Sequence, residues 1–150
     1  MNVRKTALTV AVLLIGTMCF AQNPNLGTWK LNEAKSKLAA GFPKNTTVVY
    51  ETAGDSIKGT VDGVDAQGKP THSVWVGKFD GKDYPLTGDP DADTRSYKKI
   101  DARTMELTNK KDGKVVVNAK IVVSAGGKTR TVTLTAAGKK VHSTAVYDKA

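Results

Sequence analysis

Residues 114–136 read KVVVNAKIVVSAGGKTRTVTLTA, and the alternation within this stretch decides the fold class. Val115, Val117, Ala119, Ile121 and Val123 alternate with Val116, Asn118, Lys120 and Val122. After Gly126-Gly127, Thr129, Thr131, Thr133 and Thr135 alternate with Arg130, Val132 and Leu134. A period of two on both sides of a glycine pair predicts two antiparallel strands joined by a hairpin. The pattern continues downstream, where Val141, Ser143, Ala145 and Tyr147 alternate with His142, Thr144 and Val146. Valine and threonine suit a pleated, half-buried surface.

Upstream, further turn signals recur at short intervals: Asp62-Gly63, Gln67-Gly68, Asp80-Gly81 and Asp112-Gly113, with Ala137-Gly138 downstream. Asp-Gly supplies the positive φ that tight hairpins need. Strands are predicted near 26–31, 46–53, 56–64, 70–79, 82–86, 93–100, 103–110, 114–124, 128–136 and 140–148. Only 32–38 reads as helical, with Asn32 as cap and one or two turns after it. A meander this long must curl, because open strand edges invite aggregation. The predicted fold is therefore all-β: an antiparallel up-and-down meander of about eight to ten strands closed into a barrel. A two-sheet sandwich is the alternative.

The 150 residues carry a net charge of +9 and a single cysteine, Cys19. The first 21 read as a secretory signal peptide. Arg4 and Lys5 are its basic start, 7–15 its apolar run, and cleavage is expected after Ala21. That run is short for a membrane span, which needs about 20 apolar residues. Met18 and Gly16 before Cys19 argue against a lipoprotein anchor. Residues 22–150 are then expected to form one secreted or periplasmic domain. Arg4 and Lys5 are the only charges removed with the signal, so the net charge falls to +7. No cysteine remains, which excludes disulfides, thiolate catalysis and cysteine-bound zinc from that domain.

Gly27-Thr28-Trp29-Lys30-Leu31 opens the first predicted strand. A G-x-W on strand one, followed by an antiparallel meander, resembles the calycin superfamily of lipocalins and fatty-acid-binding proteins. The chain also resembles short, secreted, uncharacterised bacterial lipocalin-like proteins, which end in a strand like Val146-Tyr147-Asp148-Lys149. The resemblance implies a barrel of eight or ten strands around a cavity for a small, mostly apolar ligand. It implies structural roles for Gly27 and Trp29 at one barrel end. It carries over no ligand clamp: the last strand has no arginine to pack on the tryptophan and no Arg-x-Tyr, and 32–45 has no two-helix lid.

Trp75 shares a face with Thr71, Ser73, Gly77 and Phe79. Facing inward, small residues beside two aromatics would leave room for a ligand; the alternative is a filled core. Tyr50 and Tyr97 carry the same choice. Arg95 shares a face with Tyr97 and Lys99. Facing inward, it would hold an anionic head group by charge-assisted hydrogen bonds. Facing outward, the bland reading, it is an ordinary exposed base, since charges are seldom buried unpaired. Arg130, with Val132 and Leu134 on its face, is the other candidate interior base. The ligand-binding candidates are thus Tyr50, Trp75, Phe79, Arg95, Tyr97 and Arg130.

His72 and His142 lack the spacing of a zinc site or a catalytic pair and are expected on the surface or rim. Asp89, Asp91 and Asp93 alternate as calcium ligands do. An EF-hand count from Asp89, however, puts Thr94 where glycine is needed and Ile100 where glutamate is needed. An acidic turn is the better reading. No nucleophile elbow or phosphate loop is present, so no catalytic residue, metal or cofactor is expected. Asn45-Thr46-Thr47 is a formal glycosylation sequon, which would mean little if the chain is bacterial. Many lysines fall in turns, away in sequence from the few aromatics, which excludes a stacking nucleic-acid platform. Their expected effects are solubility, edge protection and weak attraction to anionic surfaces. The leading expectation is a non-enzymatic binding protein for a small apolar or amphipathic ligand. The alternative is a filled barrel acting as an envelope or protein-interaction module.

Overall fold

The computed structural model describes residues 22–150; the signal peptide read at 1–21, Cys19 included, lies outside the described residues. Ten strands follow in order: β1 (Gly27–Leu31), β2 (Lys44–Ala53), β3 (Ser56–Val64), β4 (Pro70–Gly77), β5 (Tyr84–Thr87), β6 (Thr94–Lys99), β7 (Thr104–Lys111), β8 (Lys114–Val123), β9 (Thr129–Ala136) and β10 (His142–Lys149). Each pairs antiparallel with its neighbour in sequence, and β1 also pairs with β10, so the meander closes into a barrel. Closure removes every free edge that an open meander would leave. The architecture is compatible with the calycin-like fold and excludes the sandwich.

Alternation sorts the side chains as the period of two requires. Ala119, Ile121 and Val123 of β8 are buried, while Lys120 and Val122 between them are exposed. Arg130 and Val132 of β9 point inward between threonines that stay half-buried on the outer face. The core also takes Trp29, Val48, Tyr50, Trp75, Tyr97, Leu107 and Tyr147.

One turn signal is corrected, and two other sequence readings gain detail. The 32–38 segment holds a single 3-10 turn, Glu33–Lys35, with the Asn32 side chain accepting from the Lys35 amide. It stops there because β10 takes the next backbone groups. Lys37 exchanges hydrogen bonds with Thr144, and the Ser36 hydroxyl accepts from the Val146 amide at 2.9 Å. Asp62-Gly63 lies inside β3, opposite the irregularity at Asn45/Thr47 of β2, and the chain turns at 65–68 instead. Although the last strand has no arginine, a cation does cover the strand-one tryptophan: Lys149 Nζ sits 5.1 Å from the Trp29 ring centroid. Gly27, at φ +112°, makes room for it, since a Cβ there would lie 2.9 Å from Lys149 Cε. Trp29 is fully buried, and its indole N–H donates to the Asn25 carbonyl at 2.8 Å.

Candidate functional site

The interior contains a polar layer that the strand register assembles. In the β6–β7 hairpin, Arg95 lies opposite Asn109 and Tyr97 opposite Leu107. In the β9–β10 hairpin, Arg130 lies opposite Tyr147. Tyr50 enters from β2. Arg95 Nε donates to Asn109 Oδ1 at 2.7 Å, and its Nη1 lies 3.4 Å from the Tyr97 hydroxyl. The Tyr97 and Tyr50 hydroxyls share a hydrogen bond of 2.8 Å, and Arg130 Nη2 donates to Tyr50 at 2.9 Å. Two guanidiniums are thereby bridged by two phenols. The Arg130 guanidinium also lies over two rings, 5.1 Å from the centroid of Tyr50 and 5.8 Å from that of Tyr147, a favourable placement for a desolvated cation.

Charge in this layer is not balanced. Arg95 is 7% and Arg130 2% exposed. Among the described residues the one carboxylate in ion-pair reach is Asp89, whose Oδ2 lies 3.8 Å from Arg95 Nη2, beyond hydrogen-bond length. Among the described residues Arg130 makes no ion pair, and its buried Nε has no hydrogen-bond partner. Burial pushes the Tyr50 phenol above its ordinary 10, against the pull of Arg130, and burial likewise raises Tyr147. Burial alone would lower Arg95, but the Asp89 carboxylate and the hydrogen bond to the Tyr97 hydroxyl act the other way, and its affinity for its proton is raised. Tyr50 and Tyr147 are therefore neutral partners of the two cations and do not neutralise them.

That assignment is testable by alkaline titration. Tyr84 is also raised, by its hydrogen bond to Asp80. Three phenols with folded values above 10 favour the folded state below that pH, and this contribution is lost as pH rises through the folded values. The folded protein should show phenolate absorbance lagging behind free tyrosine, with stability falling above pH 10. Titration of every tyrosine together near 10 would contradict the arrangement.

Above this layer lies a cavity of about 100 Å³. Val48, Val61, Leu107, Ile121, Val132 and Leu134 form its apolar wall, and Tyr50, Arg95, Tyr97, Asn109, Arg130 and Tyr147 supply its polar groups. Its mouth is bordered by Pro43, Asp65 and the 89–92 segment between β5 and β6. Gly88, at φ +80°, holds that segment against β4: a Cβ there would run into the His72 carbonyl oxygen. Ala92 is buried, and the Asp93 carboxylate accepts from the Asp112 amide at 2.9 Å. Gly88→Ala is expected to lower stability by about 2 kcal/mol through strain and lost packing. Thermal denaturation checks it, and an unchanged melting temperature would contradict the close approach.

Of the six ligand-binding candidates, Tyr50, Arg95, Tyr97 and Arg130 line the cavity. Trp75 and Phe79 do not. They stack at 6.1 Å with 13° between their planes, as part of the aromatic cluster that includes Tyr84, and the Trp75 N–H donates to the Arg95 carbonyl. Arg95 faces inward, against the bland reading of an exposed base. Sequence reasoning passed over Asn109 and Tyr147 as partners of the arginines. Cross-strand register in their hairpins is the signal that points to both.

Asp89, Asp91 and Asp93 do not converge. Asp89 Oδ1 accepts from the Asp91 amide, while Asp93 turns to Asp112. Among the described residues no group of three His, Cys, Asp or Glu side chains is placed to hold a metal. His72 is exposed against Asp62 at 2.6 Å, and His142 is exposed against Thr135 at 2.8 Å. Among the described residues no helix is long and apolar enough to cross a membrane. No protein-family model and no curated protein matches the chain.

Proposed function

We propose that the barrel is a non-enzymatic binding protein for a small amphipathic anion. The ligand's charged group meets Arg95 and Arg130, and its apolar body lies along the wall of Val48, Val61, Leu107 and Val132. The observation that carries this reading is Arg130, a buried guanidinium that among the described residues has an idle Nε and no carboxylate partner. A buried charge without a counter-ion is costly, and an incoming carboxylate relieves that cost with charge-assisted hydrogen bonds. The phenols and Asn109 hold the guanidiniums in place before the ligand arrives, which limits the ordering cost of binding. The segment at 1–21 adds export to the proposal, checked by whether the periplasmic or secreted protein begins at Gln22.

Benzoate and benzamide test the reading, since they differ little in shape but carry different charge. Calorimetric titration should show benzoate binding at least about tenfold more tightly than benzamide, a difference of about 1.4 kcal/mol. Equal affinity, or no binding of either, would overturn it. A second reading, a filled barrel acting through its outer surface, is favoured by the cavity's size. About 100 Å³ is below the roughly 300 Å³ at which ordinary small-molecule pockets begin. That reading predicts indifference to both probes.

A further inference from the structure

Among the described residues Asp89 is the one carboxylate in ion-pair reach of a buried guanidinium, that of Arg95, and its placement is built. Gly88 packs under the His72 carbonyl, Ala92 is buried, and Asp93 is tied to Asp112. Asp89 Oδ1 is engaged by the Asp91 amide at 2.9 Å, which leaves Oδ2 facing Arg95 Nη2 at 3.8 Å. At that distance it compensates charge but takes up no donor, so the guanidinium keeps hydrogen-bonding capacity toward the cavity.

We infer that Asp89 sets the charge of the ligand: it is the resident counter-ion of Arg95, and it restricts the cavity to monoanions. The inference rests on the anion-binding reading above. Asp65 and Asp91 border the mouth without an ion pair to either arginine, so two arginines and one ion-paired aspartate leave the layer with a single positive charge unpaired at short range. One carboxylate completes it. A second ligand carboxylate must either face Asp89 at short range or displace it from a segment packed against β4. In a site of low effective dielectric, like charges a few ångströms apart repel strongly. Asp89 therefore acts by excluding the wrong partner, as specific sites commonly do. The amide of asparagine keeps the shape and can still accept from the Asp91 N–H, but it removes the repulsion.

Benzoate as monoanion and phthalate as dianion read this out when each is titrated into the wild type, Asp89→Asn and Asp89→Ser. Asp112→Asn serves as the control, removing an exposed negative charge from the neighbouring β7–β8 turn without contact to Arg95. Its φ of +49° is one that asparagine accepts. The expected result is that Asp89→Asn and Asp89→Ser strengthen phthalate binding at least about tenfold more than they strengthen benzoate binding, while Asp112→Asn changes both ligands by less than about twofold. If the wild type binds benzoate and the folded Asp89 variants gain no more for phthalate than for benzoate, the inference fails and the anion reading stands. An equal gain from Asp112→Asn also overturns it, since the effect is then one of overall charge. If benzoate binds neither the wild type nor either Asp89 variant, the anion reading fails and takes this inference with it.

Discussion

Replacing Arg130 with methionine should weaken benzoate binding by roughly thirtyfold or more while leaving the barrel as stable as before or more stable. Removing one partner of a buried, hydrogen-bonded charge pair weakens binding by about 2–5 kcal/mol. Arg130 is the arginine with no resident counter-ion, so the whole of its interaction is open to the ligand. Stability should move the other way. The guanidinium is buried with one hydrogen bond to Tyr50 and its Nε unsatisfied. Replacing buried charged groups by apolar residues of similar volume is often neutral or stabilising by about 1–4 kcal/mol. Methionine fills the same slot between the Tyr50 and Tyr147 rings with a soft sulfur suited to aromatic contact. Tyr50 keeps its hydrogen bond to Tyr97. Calorimetric titration and thermal denaturation of the same preparation check both halves. A variant that binds benzoate like the wild type defeats the assignment of Arg130. A variant that loses stability by several kcal/mol shows the guanidinium to be structural.

The second large effect lies at the other end of the functional range. Trp29→Ala is expected to destabilise the fold by about 3–5 kcal/mol, the usual range for a buried aromatic deleted from a core. Trp29 is fully buried, its N–H is satisfied by the Asn25 carbonyl, and Lys149 covers its ring. The deletion leaves a cavity, an orphaned carbonyl and an idle lysine together. Against a typical total of about 5–15 kcal/mol, this is a large fraction of stability. Urea denaturation measures it, and Trp29→Phe should recover part of the loss. A cost below about 1 kcal/mol would mean that the barrel end relaxes around the gap.

The strands were legible because period two and glycine-bearing turns are local signals. The β8–β9 hairpin is the clearest instance, and Arg130 could be placed with Val132 and Leu134 from alternation alone. Arg95 was harder. Composition argues that an arginine sharing a face with Lys99 is exposed, and only the three-dimensional fold brings the Tyr50 hydroxyl from β2 to the layer of Arg95 and Tyr97. Lys99 escapes burial by standing at the end of β6. Asp89 was visible as a residue but not as a partner. Its spacing with Asp91 and Asp93 suggests a shared ligand, whereas the backbone of the segment sends Asp89 toward Arg95 and Asp93 toward Asp112. The 32–38 segment keeps to the shorter of its one or two expected turns for a related reason. Its helical propensity is real, but β10 competes for its backbone groups, and that competition involves residues more than a hundred positions away.

The pairing of β1 with β10 also governs how the barrel is made. Trp29 aligns with Lys149 and Leu31 with Tyr147, so the ladder that seals the sheet joins nearly the two extremes of the described chain. Every other pairing is a hairpin between sequence neighbours and can zip as soon as its two strands exist. Sealing must wait for the last strand and must meet the loop-closure entropy of everything between. That single distant pairing is the slow step, because its loop-closure cost must be met before its contacts reward it. Until β10 arrives, β1 and β9 each offer an unpaired edge. The vulnerable species of this protein is therefore the nearly finished barrel, one strand short of closure.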